Sequence, residues 1–378
     1  MHIVDLRIFS KFLSISIIHD RPNRRLWLLS HIYISKLLDE WNLSSCKVAS
    51  TPFPSKFTEF SSVTLTSAPT SDIPDPDLTV KYQRIVGCLL YLAVSTRPDI
   101  SYYAMWLGQY NSKPTHAQFL IAKHVLRYLA GTKTLALCLG SSSASLPATL
   151  SSFMQNVGCS DVDWASDAVD RKSISGYSFY FEASLISWSA TKQKSITLSS
   201  TEAEYYALTH AFKEALWLRV FLGLLHFPVP QPFPILSDNQ AACSLSNSTA
   251  VSARSKHIDI CHHFIHAHVQ DGSFTTTWIP TADMPADIFM KPLPFVAIVM
   301  FWVFLLLLLD SFFFLFHSDL MGVCWTYSLS GRLSHHVILV FPISRSLIHL
   351  ILSCLSILDT EEYVHLFCFC LRIADLYT

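Results

Sequence analysis

Gly158-Cys-Ser-Asp-Val-Asp-Trp164 opens the region whose order of elements decides the fold. Residues 158–164 read as a short strand. Residues 176–181 and 184–189, rich in Tyr, Phe, Ile and Trp, read as two further strands of one meander. Ser199-Ser-Thr-Glu202 has the form of a capping box ahead of a long helix reaching to about residue 225. Pro228, Pro230, Pro232 and Pro234 then break the chain. Residues 235–237 form a brief strand, and a short helix starts at Gln240. A helix over residues 257–269 stops at Gly272, residues 274–279 read as a last strand, and residues 282–290 as a final helix. Three strands, helix, strand, helices, strand and helix predict an α/β fold, a mixed sheet flanked by helices.

Four acidic residues hold telling places in that order. Asp161 lies inside the first strand, Glu204 one turn into the long helix, Asp238 at the end of a short strand, and Asp287 at the start of the last helix. Strand ends at the centre of a sheet can gather such carboxylates. Magnesium suits carboxylate ligands plus substrate phosphate, and two ions about 4 Å apart serve phosphodiester hydrolysis. Each carboxylate taken singly also has an ordinary reading as a turn residue or helix cap. Glu204, for instance, could close a box with Thr201. Spacing alone does not choose between these readings.

The motifs do choose. Residues 158–167, Arg171-Lys-Ser-Ile-Ser-Gly-Tyr177, Ile186-Ser-Trp-Ser189, Leu198-Ser-Ser-Thr-Glu-Ala-Glu-Tyr205, Glu214-Ala-Leu-Trp-Leu-Arg219 and Ser237-Asp-Asn-Gln-Ala-Ala242 resemble the ribonuclease H domain of copia-type retrotransposon Pol polyproteins. Lys256-His-Ile-Asp-Ile260, His263-Phe-Ile265 and Ala286-Asp-Ile-Phe-Met-Lys-Pro-Leu293 complete the series in order. The resemblance covers nearly all of residues 156–294. It implies a ribonuclease H-like five-stranded mixed sheet. It also implies hydrolysis of the RNA strand of RNA–DNA hybrids with two Mg2+ ions, Mn2+ being a substitute. The metal and catalytic quartet carried over by motif is Asp161, Glu204, Asp238 and Asp287, with Asp163 a secondary candidate because residues two apart on a strand share a face.

Departures from the family pattern are Cys159, Val162, Ser166 and Met290. Ser166 stands where the family has glycine, which matters if that turn needs positive φ. A hybrid is a polyanion, yet residues 156–294 hold nine Lys or Arg against thirteen Asp or Glu. The expected backbone contacts are Arg171, Lys172, Lys192, Lys194, Arg254 and Lys256. The cluster His257, Cys261, His262, His263, His266 and His268 is read as part of a structural helix rather than a zinc site. Trp188, Trp217 and Trp278 are read as core rings rather than stacking platforms.

Upstream, Tyr82-Gln-Arg-Ile-Val-Gly-Cys-Leu-Leu-Tyr-Leu92, Thr96-Arg-Pro-Asp-Ile100, Pro114-Thr-His-Ala117 and Leu126-Arg-Tyr-Leu-Ala-Gly-Thr132 resemble the end of a copia-type reverse transcriptase. The expected organisation is a mainly helical reverse-transcriptase remnant over residues 1–140, with a loop or linker over 51–77. A Ser-rich linker over 141–152, a ribonuclease H-like domain over 153–294 and a hydrophobic tail over 295–378 follow. The paired-aspartate polymerase motif would precede residue 1, so no polymerase activity is expected from this fragment. Other Pol segments are expected partners besides the hybrid.

The whole chain has 378 residues, 51% hydrophobic and 15% charged, with formal net charge −1. That excludes a disordered chain, and 10 Gly and 10 Cys exclude collagen-like and disulfide-scaffold classes. A mean hydropathy of +0.36 is explained mostly by the tail. Residues 295–309 are all apolar, shorter than the ~20 residues of a bilayer span, and Asp310 interrupts the run. The N-terminus lacks the pattern of a signal peptide, and the scattered cysteines suit a reducing compartment. Family resemblance points to the cytoplasm or a virus-like particle. Two other readings stand beside the nuclease: a catalytically inactive nucleic-acid-binding remnant, and a membrane-associated protein acting through residues 295–316.

Overall fold

The computed structural model describes residues 10–22, 24–54, 75–140, 156–167, 169–182, 184–227, 229, 231–248 and 259–304, and two strands beyond them. The chain divides into two units, the first running to Leu307 apart from residues 143–152.

The first unit begins with β1 (Lys11–Phe12), β2 (Ile15–Asp20) and β3 (Arg25–Leu29). Helix α1 (His31–Glu40) buries Ile34, Leu37 and Leu38, a stripe at helical spacing. Helix α2 (Pro76–Ser95) starts where Asp75 accepts from the N–H groups of Asp77 and Leu78, with Pro76 preset for the first turn. The end of the expected 51–77 linker is therefore already helical. Helix α3 (Ser101–Gly108) is buried on nearly every side, and α4 (His116–Gly131) opens on a Thr115–Gln118 capping box. Strand β4 (Leu137–Gly140) pairs with β3, giving an antiparallel sheet in the order β1-β2-β3-β4. Only helical signals were legible here. The strands are short, and β4 finds its partner more than a hundred residues away, which no local pattern reports.

Between α2 and α3 sits a buried polar knot. Arg97, 0% exposed, donates from Nε and Nη2 to the two Asp99 oxygens at 2.9 and 2.7 Å, and from Nη1 to Thr132 O at 3.0 Å. Tyr128 OH donates to Asp99 Oδ2 at 2.7 Å. Burial works against the Arg97 charge. Asp99 and its hydrogen bonds outweigh that, so the pKa of Arg97 lies above its ordinary value.

The second half of the unit is a five-stranded sheet. Strands β5 (Asn156–Asp163), β6 (Ile174–Phe181) and β7 (Ser184–Lys192) form the expected antiparallel meander. Helix α5 (Ser200–Leu224) follows. Strand β8 (Phe233–Ser237) returns parallel to β5, with Gly158 opposite Ile235 and Cys159 opposite Leu236. Helices α6 (Gln240–Asn247) and α7 (Asp259–Gln270) lead to β9 (Phe274–Trp278), parallel to β8. The order β7-β6-β5-β8-β9, mixed and flanked by helices, is the ribonuclease H-like sheet expected from the sequence. Phe179, Tyr205, Leu208, Phe212, Ile235 and Phe274 fill the core between sheet and helices. The expected final helix over 282–290 is instead two 3-10 turns, Thr281–Asp283 and Pro285–Phe289. Pro285 removes an N–H that a continuous α-helix would need.

The two halves are fastened together. Trp188 Nε1 donates to Ala93 O at 2.7 Å, Lys192 Nζ to Gln109 Oε1 at 2.9 Å, and Leu293 N to Tyr103 OH at 3.4 Å. Helix α8 (Phe295–Phe304) buries Ile298, Phe301 and Trp302, and Trp302 Nε1 donates to Tyr128 OH at 3.2 Å. Ile298, Phe301 and Trp302 thus bring the start of the hydrophobic segment onto the polar knot. Among the described residues no helix is long and apolar enough to cross a membrane. In the second unit, β10 (Ser311–Leu315) and β11 (Cys324–Ser328) pair antiparallel.

Candidate functional site

Parallel pairing of β5 and β8 puts their C-terminal ends on one edge of the sheet. Asp161 lies near the end of β5, and Asp238 follows β8 directly. Helix α5 packs across β5 and carries Glu204 in its second turn. Its start is capped by Ser199, whose Oγ accepts from Glu202 N at 3.2 Å, while Glu202 Oε2 accepts from Leu198 N at 2.7 Å. Glu202 therefore does the capping, and Glu204 is left to face inward.

Ligand oxygens of Asp161, Glu204 and Asp238 all lie within 4.8 Å of one another. Asp161 is 2% exposed and Glu204 5%. Asp161 Oδ1 accepts from Val162 N at 2.7 Å. Asp161 Oδ2 and Glu204 Oε2 are buried with no hydrogen-bond partner. Orphaned buried acceptors are expensive unless something positive fills the space between them. Burial first, then the charges of Glu204 and Asp238, push the pKa of Asp161 up to about 10. Burial and Asp238 push Glu204 up to about 9. Three carboxylates in reach of one point, with open oxygens, form a hard-oxygen donor set that fits a divalent cation.

Asp287 lies beside Asp161 and adds to the rise of its pKa. Its Oδ1 is 2.7 Å from Lys291 Nζ. Asp163 stands outside the trio. Burial raises its pKa, with Ser166 and Lys291 opposing the rise. The turn carrying Asp287 rests on Gly176, which is paired with Asp161 across β5 and β6. A Cβ at residue 176 would meet Phe289 Cβ at 2.8 Å and Ala286 O at 3.0 Å. Gly176→Ala is therefore expected to cost about 1–3 kcal/mol by overpacking and to shift Asp287. Thermal unfolding and divalent-ion titration of the same protein would read the two effects.

Sequence reasoning missed several supporting residues. Thr281 Oγ1 donates to Asp238 Oδ2 at 2.6 Å, and Trp278 Nε1 to Asp238 O at 3.0 Å. Gln193 Nε2 bridges Ser175 Oγ at 2.8 Å and Ala203 O at 2.9 Å, tying β6 to α5 one residue from Glu204. Lys291 lies inside a motif already quoted, whereas Gln193 and Thr281 lie in none. The expected left-handed turn residue also differs. Among the described residues Ala165 (φ 51°) and Arg171 (φ 56°) take positive φ near this turn, and Ser166 does not, so the serine brings no such strain.

The basic residues separate into kinds. Arg171 and Lys194 are exposed. Lys172 pairs with Asp170 at 3.6 Å. Lys192 is committed to Asp167 at 2.6 Å, Asp170 at 3.1 Å and Gln109, so it serves as a fastener. Arg254, Lys256 and His257 lie outside the described residues. His262, 1% exposed, stacks with Tyr205 and His266. The reading of three tryptophans as core rings needs correction: Trp278 is 44% exposed, and Trp217, 56% exposed, stacks on Phe221. Trp278 ends β9 and Trp217 lies on the outer face of α5, so neither position turns its ring inward.

No family model matches the chain. It is 34% identical over 291 residues to the Retrovirus-related Pol polyprotein from transposon TNT 1-94 of Nicotiana tabacum, across 77% of this chain and 21% of that protein. It is 38% identical over 263 residues to the Retrovirus-related Pol polyprotein from transposon RE1 of Arabidopsis thaliana, across 69% and 16%. The chain belongs to the copia-type retrotransposon Pol family. This Pol segment spans about a fifth of the length of the relatives it matches. Among solved structures it is similar to LC11-RNase H1 in complex with RNA/DNA hybrid, with 13% identity and a TM-score of 0.28 over 36% of this chain and 93% of that one. The mixed five-stranded sheet β7-β6-β5-β8-β9 with its flanking helices gives the copia-type Pol segment a ribonuclease H-like fold.

Proposed function

We propose that residues 153–294 of this Pol segment are a ribonuclease H that hydrolyses the RNA strand of an RNA–DNA hybrid, and that residues 1–140 are the end of the reverse transcriptase. The observation that carries the reading is the cluster of Asp161, Glu204 and Asp238 within 4.8 Å, with two buried oxygens left open. Its support is membership of the copia-type family and the order of the sheet.

Asp161, Glu204 and Asp238 would hold a divalent cation, with Asp287 the fourth acidic group beside Asp161. Such a cation supplies a bound water of lowered pKa and positive charge for the reacting phosphate. The protein's own part is positioning. Thr281 holds one oxygen of Asp238, Val162 N–H holds one oxygen of Asp161, and the Ser199 cap leaves Glu204 free to turn in. Exposed Arg171 and Lys194 would meet the hybrid backbone, contacts that fix position without reading base sequence. Recognition of the RNA strand would rest on hybrid shape and the 2′-hydroxyl.

The test is cleavage of a labelled hybrid by the full chain with Mg2+, with chelator, and with Asp238→Asn. Magnesium-dependent cutting of the RNA strand alone, reduced by roughly a thousandfold in the variant, is the expected result. A folded protein that binds the hybrid but leaves it intact with Mg2+ would replace the nuclease with a binding remnant.

A further inference from the structure

Strand β5 ends at the edge of the sheet where the acidic trio gathers, and the turn that leaves it carries Arg171. Arg171 is exposed and takes a left-handed backbone, φ 56°. A non-glycine residue keeps that conformation only where its surroundings hold it. Here the turn is held from within. Arg171 N donates to Asp167 O at 3.0 Å, and Asp167 N to Lys172 O at 3.2 Å. Asp167 Oδ1 accepts from the N–H groups of Val169 and Asp170 at 2.8 and 3.2 Å. Lys192 Nζ then gathers the carboxylates, with Asp167 Oδ2 at 2.6 Å and Asp170 Oδ1 at 3.1 Å. The third acceptor of that ammonium is Gln109 Oε1 at 2.9 Å, at the end of α3 in the upstream half of the unit. An ammonium has three protons to donate, and all three have acceptors here. Burial, then the charges of Asp167 and Asp170, raise the pKa of Tyr110, which sets the turn beside the same end of α3.

We propose that Lys192 is a positioning residue through which Gln109, on the upstream half, sets the Arg171 turn for the backbone of a bound hybrid. This rests on the reading of residues 153–294 as a ribonuclease H. It goes beyond that reading by giving the fastening of the two halves a part in substrate binding. Lys192 acts through the turn and not by touching the hybrid. Its charge is spent on Asp167 and Asp170, two carboxylates that would otherwise repel a polyanion at this edge. Arg171 is then the charge that the turn presents to solvent. A phosphate contact of this kind fixes where the duplex lies and reads no base. The effect of the device therefore falls on hybrid affinity.

Binding of a labelled RNA–DNA hybrid to the full chain tests this by fluorescence anisotropy over a range of salt, in chelator so that no strand is cut. Arg171→Ala is expected to lower the slope of log affinity against log salt by about one, the loss of one phosphate contact. Gln109→Leu changes no charge and should weaken binding by about threefold in a chain that keeps Arg171. In the Arg171→Ala background the same change should do almost nothing, because Gln109 acts through that arginine. Lys192→Met should weaken binding more than Arg171→Ala, since it also unmasks Asp167 and Asp170. Equal hybrid affinity in wild type and Gln109→Leu, both folded by circular dichroism, would overturn the inference. So would equal losses from Gln109→Leu with and without Arg171, or an Arg171→Ala protein with the wild-type salt slope. Each of these leaves the nuclease reading standing. A folded wild type that binds no hybrid would overturn that reading, and this inference with it.

Discussion

Asp161→Asn is expected to abolish hybrid cleavage and, at the same time, to stabilise the metal-free protein. The two effects share one cause. Asp161 is buried beside Glu204, Asp238 and Asp287, and the Lys291 ammonium paired with Asp287 offsets only part of that concentration of acidic groups. Its ordinary pKa of 3.8 is pushed up to about 10, and that of Glu204 from 4.5 to about 9. A carboxyl whose folded-state pKa is raised contributes stability that is complete below its unfolded value and is lost as pH rises through the folded one. The metal-free chain should therefore lose stability steadily between about pH 4 and pH 10. Asparagine keeps the Oδ1 acceptor for Val162 N–H and, unlike the carboxyl, takes up no proton on folding, so it should gain about 2–4 kcal/mol at neutral pH. A saturating divalent ion should reverse the order, because it binds folded wild type and so stabilises it by mass action. Thermal unfolding at pH 5, 7 and 9, with chelator and with Mg2+, checks every sign. A variant less stable than wild type in chelator at pH 9 would contradict this account of the cluster.

Arg97→Ala should be the most destabilising change, at about 3–5 kcal/mol. The guanidinium is fully buried, fills both oxygens of Asp99, and holds Thr132 through O and Oγ1. Removing it leaves Asp99 as a buried charge with only Tyr128 to answer it. The same tyrosine receives Trp302, so the loss should also loosen α8. Denaturant unfolding of Arg97→Ala should show a lowered midpoint, and hydrogen exchange should rise in residues 295–304. Replacing Arg97 and Asp99 together by apolar residues should cost much less than Arg97→Ala alone, because no unpaired charge remains.

The site was legible in sequence to the extent that its parts are local. Asp161 in an alternating strand, Ser199 and Glu202 around a helix start, and Asp238 at a strand end all announce themselves within a few residues. Motif resemblance joined them into one centre. The supporting groups were not legible. Thr281 reaches Asp238 from more than forty residues away, and Lys192 reaches Gln109 from more than eighty.

By itself, then, the sequence determined the order of strands and helices from β5 to β9, the cap that starts α5, and the family whose motifs carry the four acidic residues. These follow from periodicity, cap chemistry and motif, all readable over short spans. Only the tertiary structure decided that β4 closes a sheet with β3, that α8 packs on Tyr128 through Trp302, and that Asp161, Glu204 and Asp238 gather within 4.8 Å while Asp287 pairs with Lys291. Each of these depends on distances between groups set by packing. Pairing across a hundred residues and the direction of one ammonium leave no periodic trace in the chain.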